Sequence, residues 1–185
     1  MATQYTVEWV RNEHASPKTI RSYAEEASQT FKKGAAVVLD STSKEVEELA
    51  TTAGVPNSVI LLGFALEDAT GTAGSEIDVL IPQPGDVFTA AVLTDQDTTV
   101  APDYDTDVAE NYALIKMSAT AGDGDEWGLE RAAGEASPFV EVIGLDPRDA
   151  TRRGVDPNAV ASALNAGDRL LFKVLATVLD DEPQQ

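Results

Sequence analysis

The sequence predicts a mainly β domain: a small β-barrel or β-tulip-like body with one or two short helices and an N-terminal arm. Six or seven apolar runs of strand length are separated by turns rich in Gly, Pro and Asp. Helical spacing is confined to short stretches, and aromatic side chains are few beside many Ala, Thr, Gly and Asp. Closure into a barrel would hide the edges that short strands otherwise leave open. With 185 residues the chain fits one domain, divided into an arm (1–30) and a β-rich body (31–185) with an acidic loop at 94–111.

In the arm, an extended piece around Tyr5, Val7 and Trp9 precedes Ser16-Pro17, which has the chemistry of a helix N-cap and first helical residue. Ile20, Tyr23, Ala24, Ala27 and Phe31 follow at helical spacing, although Ser, Gln and Thr at 28–30 suit a strand equally well. FKKGAAVVLD reads as a turn at Lys33-Gly34 and a buried strand ending at Asp40. In the next stretch Thr42 and Glu45 have capping-box spacing, Val46, Leu49 and Ala50 share a face, and Gly54 and Pro56 stop a short helix. SVILLGFALED is a central strand in which Gly63 marks a bulge or a close backbone approach.

EIDVLIPQPGDVFTAAVL gives two strands around a tight Pro84-Gly85-Asp86 turn and reads as a hairpin-like pair. Further strands are expected at 112–118, 139–145 and 168–179, with Trp127 starting another against the core. Asp156-Pro157 opens, and Gly167 closes, a short helix or turn with Val160, Ala161 and Leu164 facing in. Leu62-Gly63-Phe64 with Asp68-Ala69 and Ile143-Gly144-Leu145 with Asp149-Ala150 share offsets, a pattern that a duplicated strand-loop unit or chance would produce.

Charge is unevenly distributed. The chain has 13 Lys and Arg against 32 Asp and Glu, a net charge of −19. Residues 1–33 hold five of the cations and four of the anions, a balance of +1, so the remainder is −20. A surface this acidic excludes nucleic-acid binding through phosphates, which draws its affinity from Lys and Arg displacing counterions. With no cysteine, disulfides and thiolate chemistry are excluded. The N-terminus lacks the basic head and apolar stretch of a signal peptide, and no run approaches the roughly 18 apolar residues of a membrane span. Synthesis in the cytosol, without membrane association, is the expectation.

Catalytic and cofactor chemistry finds little material, so no enzyme activity, cofactor or metal is expected. His14 is the one histidine and lies in a polar stretch, where catalytic geometry is hard to hold. The Gly-containing turns at 71–74 and 122–124 do not continue into a phosphate loop. Asp95, Asp97, Asp103, Asp105 and Asp107 offer oxygen ligands for calcium, but from Asp103 the sixth position is Val108 and the twelfth Leu114, against the EF-hand's Gly and Glu. An acidic β-barrel binding module, calcium- or carbohydrate-dependent through this loop, is the alternative function. Trp9 is an apolar arm residue that needs a covering surface, either its own body or another subunit.

From Phe31 onward the ordered series FKKGAAVVLD, an acidic helix, LLGFALEDA, IDVLIPQPGDVFTAAV, YALIK, WGLE, FVEVIGLDPRDA and FKVL resembles the decoration, or cement, proteins of tailed-phage-type viruses. The resemblance covers about three quarters of the chain and rests on order more than on any single motif. It implies a non-enzymatic β-barrel or β-tulip body, a homotrimer, and a place in the virion on the outer capsid surface, bound to the major capsid protein. It also implies that the arm, with Trp9, Arg11, Lys18 and Arg21, makes the contact. The heavy acidity and the 94–111 loop depart from that pattern.

Overall fold

The computed structural model describes residues 6–52, 55–56, 61–118, 126–131, 140–154, 156 and 164–175, with backbone alone at 51–52, 55–56 and 153. The first half contributes strands β1 (Glu8–Asn12), β2 (Thr19–Ala24), β3 (Ala36–Leu39), β4 (Val46–Glu48), β5 (Thr51–Thr52), β6 (Val55–Pro56), β7 (Gly63–Ala65) and β8 (Glu76–Ile81). The second half contributes β9 (Asp86–Asp95), β10 (Thr98–Val100), helix α1 (Tyr104–Asp107), β11 (Asn111–Lys116), β12 (Trp127–Glu130), β13 (Val140–Leu145), helix α2 (Pro147–Arg153) and β14 (Arg169–Val174). The protein is mainly β with two short helices, as its sequence predicts.

A five-stranded barrel closes in the order β9, β12, β11, β13, β14 and back to β9. β9 can serve on so many sides because it is long and buried from Asp86 to Leu93. Its first half takes β1 and β14, and its second half takes β12 and β10. A second, five-stranded sheet runs β2-β8-β7-β3-β4, and a parallel bridge from Glu25 to Val46 ties its two outer strands together. The two sheets share one core, in which Phe64 of β7 packs on Phe88 of β9 at 4.9 Å between ring centroids, and Phe88 stacks on Phe172 of β14 at 5.7 Å.

The Pro84-Gly85-Asp86 turn forms where expected, with Gly85 at a φ of 85° and the Asp86 N–H donating to the Gln83 carbonyl. The strands on either side are not a hairpin pair, however. β8 joins the five-stranded sheet and β9 the barrel, so the turn is a corner between them. β2 and β1 follow the same corner in reverse, antiparallel to β8 and β9 respectively. The segment expected as an arm is therefore paired to the body from Glu8 to Ala24. The Ser16-Pro17 helix is replaced by β2, because a six-residue ladder on β8 outweighs a local capping signal.

The second helix expected near 42–50 is likewise a strand. The Asp40 carboxylate accepts from the N–H groups of Thr42 and Ser43, and Lys44 adopts a left-handed φ of 61° that no helix continues through. The chain then returns as β4 against β3, with Val46 and Leu49 buried. α2 lies earlier than the helix expected at 156–167, of which residues 157–163 are outside the described set. Its signals are sound: Asp146 caps it, Pro147 opens it, and Gly154 at a φ of 70° closes it.

Gly63 marks a close approach, since a Cβ there would lie 2.2 Å from the Leu80 carbonyl oxygen. Gly144, its counterpart in the internal echo, sits at a β-bulge with open space before it. Asp68 is exposed whereas Asp149 is buried, so the matched offsets serve different structures.

Candidate functional site

Charge pairing gives the molecule its sidedness. Among the described residues Lys32, Lys116, Lys173, Arg131, Arg148, Arg152 and Arg169 each have a carboxylate partner. Arg11, Lys18, Arg21, Lys33 and Lys44 have none within ion-pair distance, and four of these five fall between residues 11 and 33. Three of the segment's four anions turn toward the body, while half-buried Glu26 lies beside Glu47. Glu8 meets Arg169 at 3.0 Å and Arg148 at 3.4 Å, and Glu13 meets Lys173 at 2.7 Å. Glu25 is fully buried and accepts from the Thr70 N–H and hydroxyl and from the Gly71 N–H. The segment thus presents cations outward although its formal charge is only +1.

Trp9 and Lys18 are brought together. The Trp9 indole N–H donates to the buried Asp86 carboxylate at 3.0 Å, Asn12 donates to the same oxygen at 2.9 Å, and the Lys18 ammonium sits 4.5 Å from the Trp9 ring centroid. Trp9 packs half-buried against its own β9. Arg11 and Arg21 are exposed on β1 and β2, in different sheets. Ile20, beside Arg21, is 48% exposed, one of two large apolar side chains so open among the described residues.

Trp9 and Lys18 also line a cleft of about 440 Å³ between β1 and the body. Phe64, Leu66, Leu80 and Phe88 supply its apolar side, and Lys33 stands at its rim. Lys33 reads in the sequence only as a turn residue; the fold carries it there by pairing β3 with β7 beside Phe64.

The acidic loop is largely regular structure. β9 continues through Asp95, turns at 96–97 and returns as β10, and α1 occupies the remainder. Its aspartates have separate tasks. Asp95 accepts from the Asp97 N–H, the Asp97 carboxylate accepts from the Ser118 hydroxyl, and Asp103 caps α1. Asp107 is fully buried and accepts two bonds from Arg131, at 2.7 Å each, and one from the Tyr112 hydroxyl. Burial and the Asp107 charge push the Tyr112 hydroxyl's pKa far up, so it stays a donor. Among the described residues no three carboxylates or histidines gather into a metal-binding group. Residues 123–125 of the second acidic turn are outside the described set. His14 is exposed, in a loop against Gly85.

A second charged centre holds α2 to the barrel. Asp146 is fully buried and accepts from the Thr89 hydroxyl, the Arg148 N–H and the Arg148 guanidinium. Burial alone would raise its pKa, but the Arg148 hydrogen bonds hold it below the ordinary carboxylate range. Arg169 binds the buried Asp149 at 3.0 Å, and Arg152 bridges Asp149 and Asp168. Glu8 links this network to β1. Every member is engaged within the fold, so its chemistry is structural.

Compared with known families, the chain matches no family model, and no curated protein aligns with it. Among the described residues no helix is long and apolar enough to cross a membrane.

Proposed function

We propose that the protein is a non-enzymatic protein-binding module whose β1–β2 face docks on a partner. The observation that carries the reading is the concentration of cations with no carboxylate within ion-pair distance among the described residues, Arg11, Lys18, Arg21 and Lys33, on one segment of a −19 molecule. A positive segment on an acidic body favours its approach to an acidic partner, which the rest of the surface repels.

The particular role we propose is a capsid decoration protein, bound as a homotrimer to the major capsid protein on the outside of the virion. The β-barrel fold and the ordered series of stretches from Phe31 support this reading, although the stretch read there as an acidic helix is β4. A protein that binds only the assembled shell stabilises it by mass action, and threefold symmetry multiplies modest contacts.

Cosedimentation with purified expanded capsid shells tests it. Wild-type protein is expected to pellet with shells, and the Arg11→Glu, Arg21→Glu double variant to remain in the supernatant while keeping its β-sheet circular dichroism. Equal pelleting of both would refute the docking face, and absence of wild-type binding to any shell would refute the capsid role.

A further inference from the structure

We infer that the Trp9 cleft is a binding site for a small organic carboxylate with an apolar body, a function beyond capsid docking although Lys18 and Lys33 belong to both cation sets. Its size is suitable: about 440 Å³ lies within the range of small-molecule pockets. Its lining divides into two chemistries. Half-buried Trp9 and Leu66 give it accessible apolar surface, with the closed core side chains Phe64, Leu80 and Phe88 behind them, to cover a hydrocarbon or aryl group. Lys18 and Lys33 supply two ammonium groups on the same cleft, neither with a carboxylate within ion-pair distance among the described residues.

The nearby anions do not cancel those charges. Glu8, the one acidic residue lining the cleft, is held by Arg148 and Arg169. Asp68, next to Lys33 in space, accepts from the Lys33 backbone N–H and pairs with Lys32. Trp9 is fixed from behind by Asp86, so the indole face is pre-positioned, and Lys18 already lies over it. Preorganisation of this kind lowers the ordering cost of binding. The overall charge of −19 repels an anion at long range, but at physiological salt the Debye length is about 8 Å and the two cleft lysines dominate locally.

Decanoate and decan-1-ol form the matched probe pair, with the same chain and opposite prediction at the head group. In ¹H–¹⁵N spectra of the full chain, Trp9 and Trp127 give separate indole signals. Decanoate is expected to shift the Trp9 signal saturably and leave the signal of the buried Trp127 in place. Decan-1-ol is expected to bind about twofold to thirtyfold more weakly, since two partly exposed ion pairs are each worth about 0.2–1 kcal/mol. Lys18→Gln and Lys33→Gln, both at exposed positions, should each weaken decanoate by a few-fold, whereas Arg11→Glu and Arg21→Glu should leave it nearly unchanged. Equal affinity for acid and alcohol, or insensitivity to both lysine replacements, overturns the inference. Loss of decanoate binding with shell binding intact, or the reverse, separates this site from the docking face.

Discussion

At the α2 end of the barrel, Asp146, Asp149 and Asp168 are buried and each is met by an arginine, whereas along β1 and β2 the cations Arg11, Lys18 and Arg21 face outward without carboxylates. The two regions touch through Glu8, yet use their charges oppositely. Burial decides the difference. A carboxylate removed from water must find a donor or be protonated, so the network holds α2 and β14 in one arrangement. A lysine or arginine left in solvent holds nothing in place and stays available to a partner. Stability and binding are thereby assigned to different charges, and each assignment can be tested separately.

The largest effect is expected at Asp146. Asp146→Ala leaves the Arg148 guanidinium and the Thr89 hydroxyl without their shared acceptor and uncaps α2. A loss of about 3 kcal/mol is expected, the low end for a buried pair because half of the Arg148 side chain is in water. Since the folded-state pKa is held below the unfolded value, this contribution is present above about pH 4 and is lost as pH falls through the folded value. Urea unfolding from pH 7 to pH 2 should therefore show wild type and variant converging in acid. A constant gap would mean that Asp146 acts through packing instead of charge.

Gly63→Ala should come next, and it checks that the five-stranded sheet is held by close packing more than by ion pairs. The added methyl meets the Leu80 backbone, which cannot rotate away, so about 2 kcal/mol of overpacking strain is expected in thermal unfolding. Tolerance of alanine would show that β7 and β8 can separate without cost.

Glu130 sharpens the comparison from the other side, as a buried carboxylate without an arginine. Its Oε2 has no hydrogen-bond partner, and burial together with the Asp95 charge raises its pKa. For a carboxyl with a raised folded-state pKa, stability is full below the unfolded value and falls as pH rises through the folded one. Glu130→Gln, which fixes a neutral side chain, should stabilise the protein by about 1 kcal/mol at pH 7 and by nothing near pH 3. Destabilisation at pH 7 would instead show that the ionised form is held by a favourable contact.

Much of this architecture was legible where signals are local. β9 announces itself as an apolar run, the 84–86 turn through Pro-Gly-Asp, and Trp127 as a buried strand start. Partner choice was not local. Alternation along Glu76–Ile81 and Asp86–Asp95 identifies two strands but does not say that they enter different sheets. The capping signals at Ser16-Pro17 and Thr42/Glu45 were overridden by ladders to β8 and β3, whereas the equivalent signal at Asp146-Pro147, where no competing ladder exists, produced α2. The outward cations were readable as charge segregation and Trp9 as an apolar arm residue in need of cover, but the placing of Lys18 over Trp9 was not readable. Lys33 and the buried carboxylates were not, because among 32 acidic residues nothing in the sequence marks the few that will lose their water.

The smallest expected change in stability closes the comparison. Arg11→Glu and Arg21→Glu alter exposed side chains with no carboxylate within ion-pair distance among the described residues, so each should move the free energy of unfolding by less than about 0.5 kcal/mol. The change has a sign: each replacement adds two units of negative charge to a −19 molecule, so any destabilisation should come from general repulsion and vanish in high salt. Urea titrations at low and at 1 M salt distinguish the cases. A salt-insensitive loss of 1 kcal/mol or more would place these arginines in specific contacts within the fold, and the β1–β2 cations would then belong with Arg148 and Arg169 as structural charges.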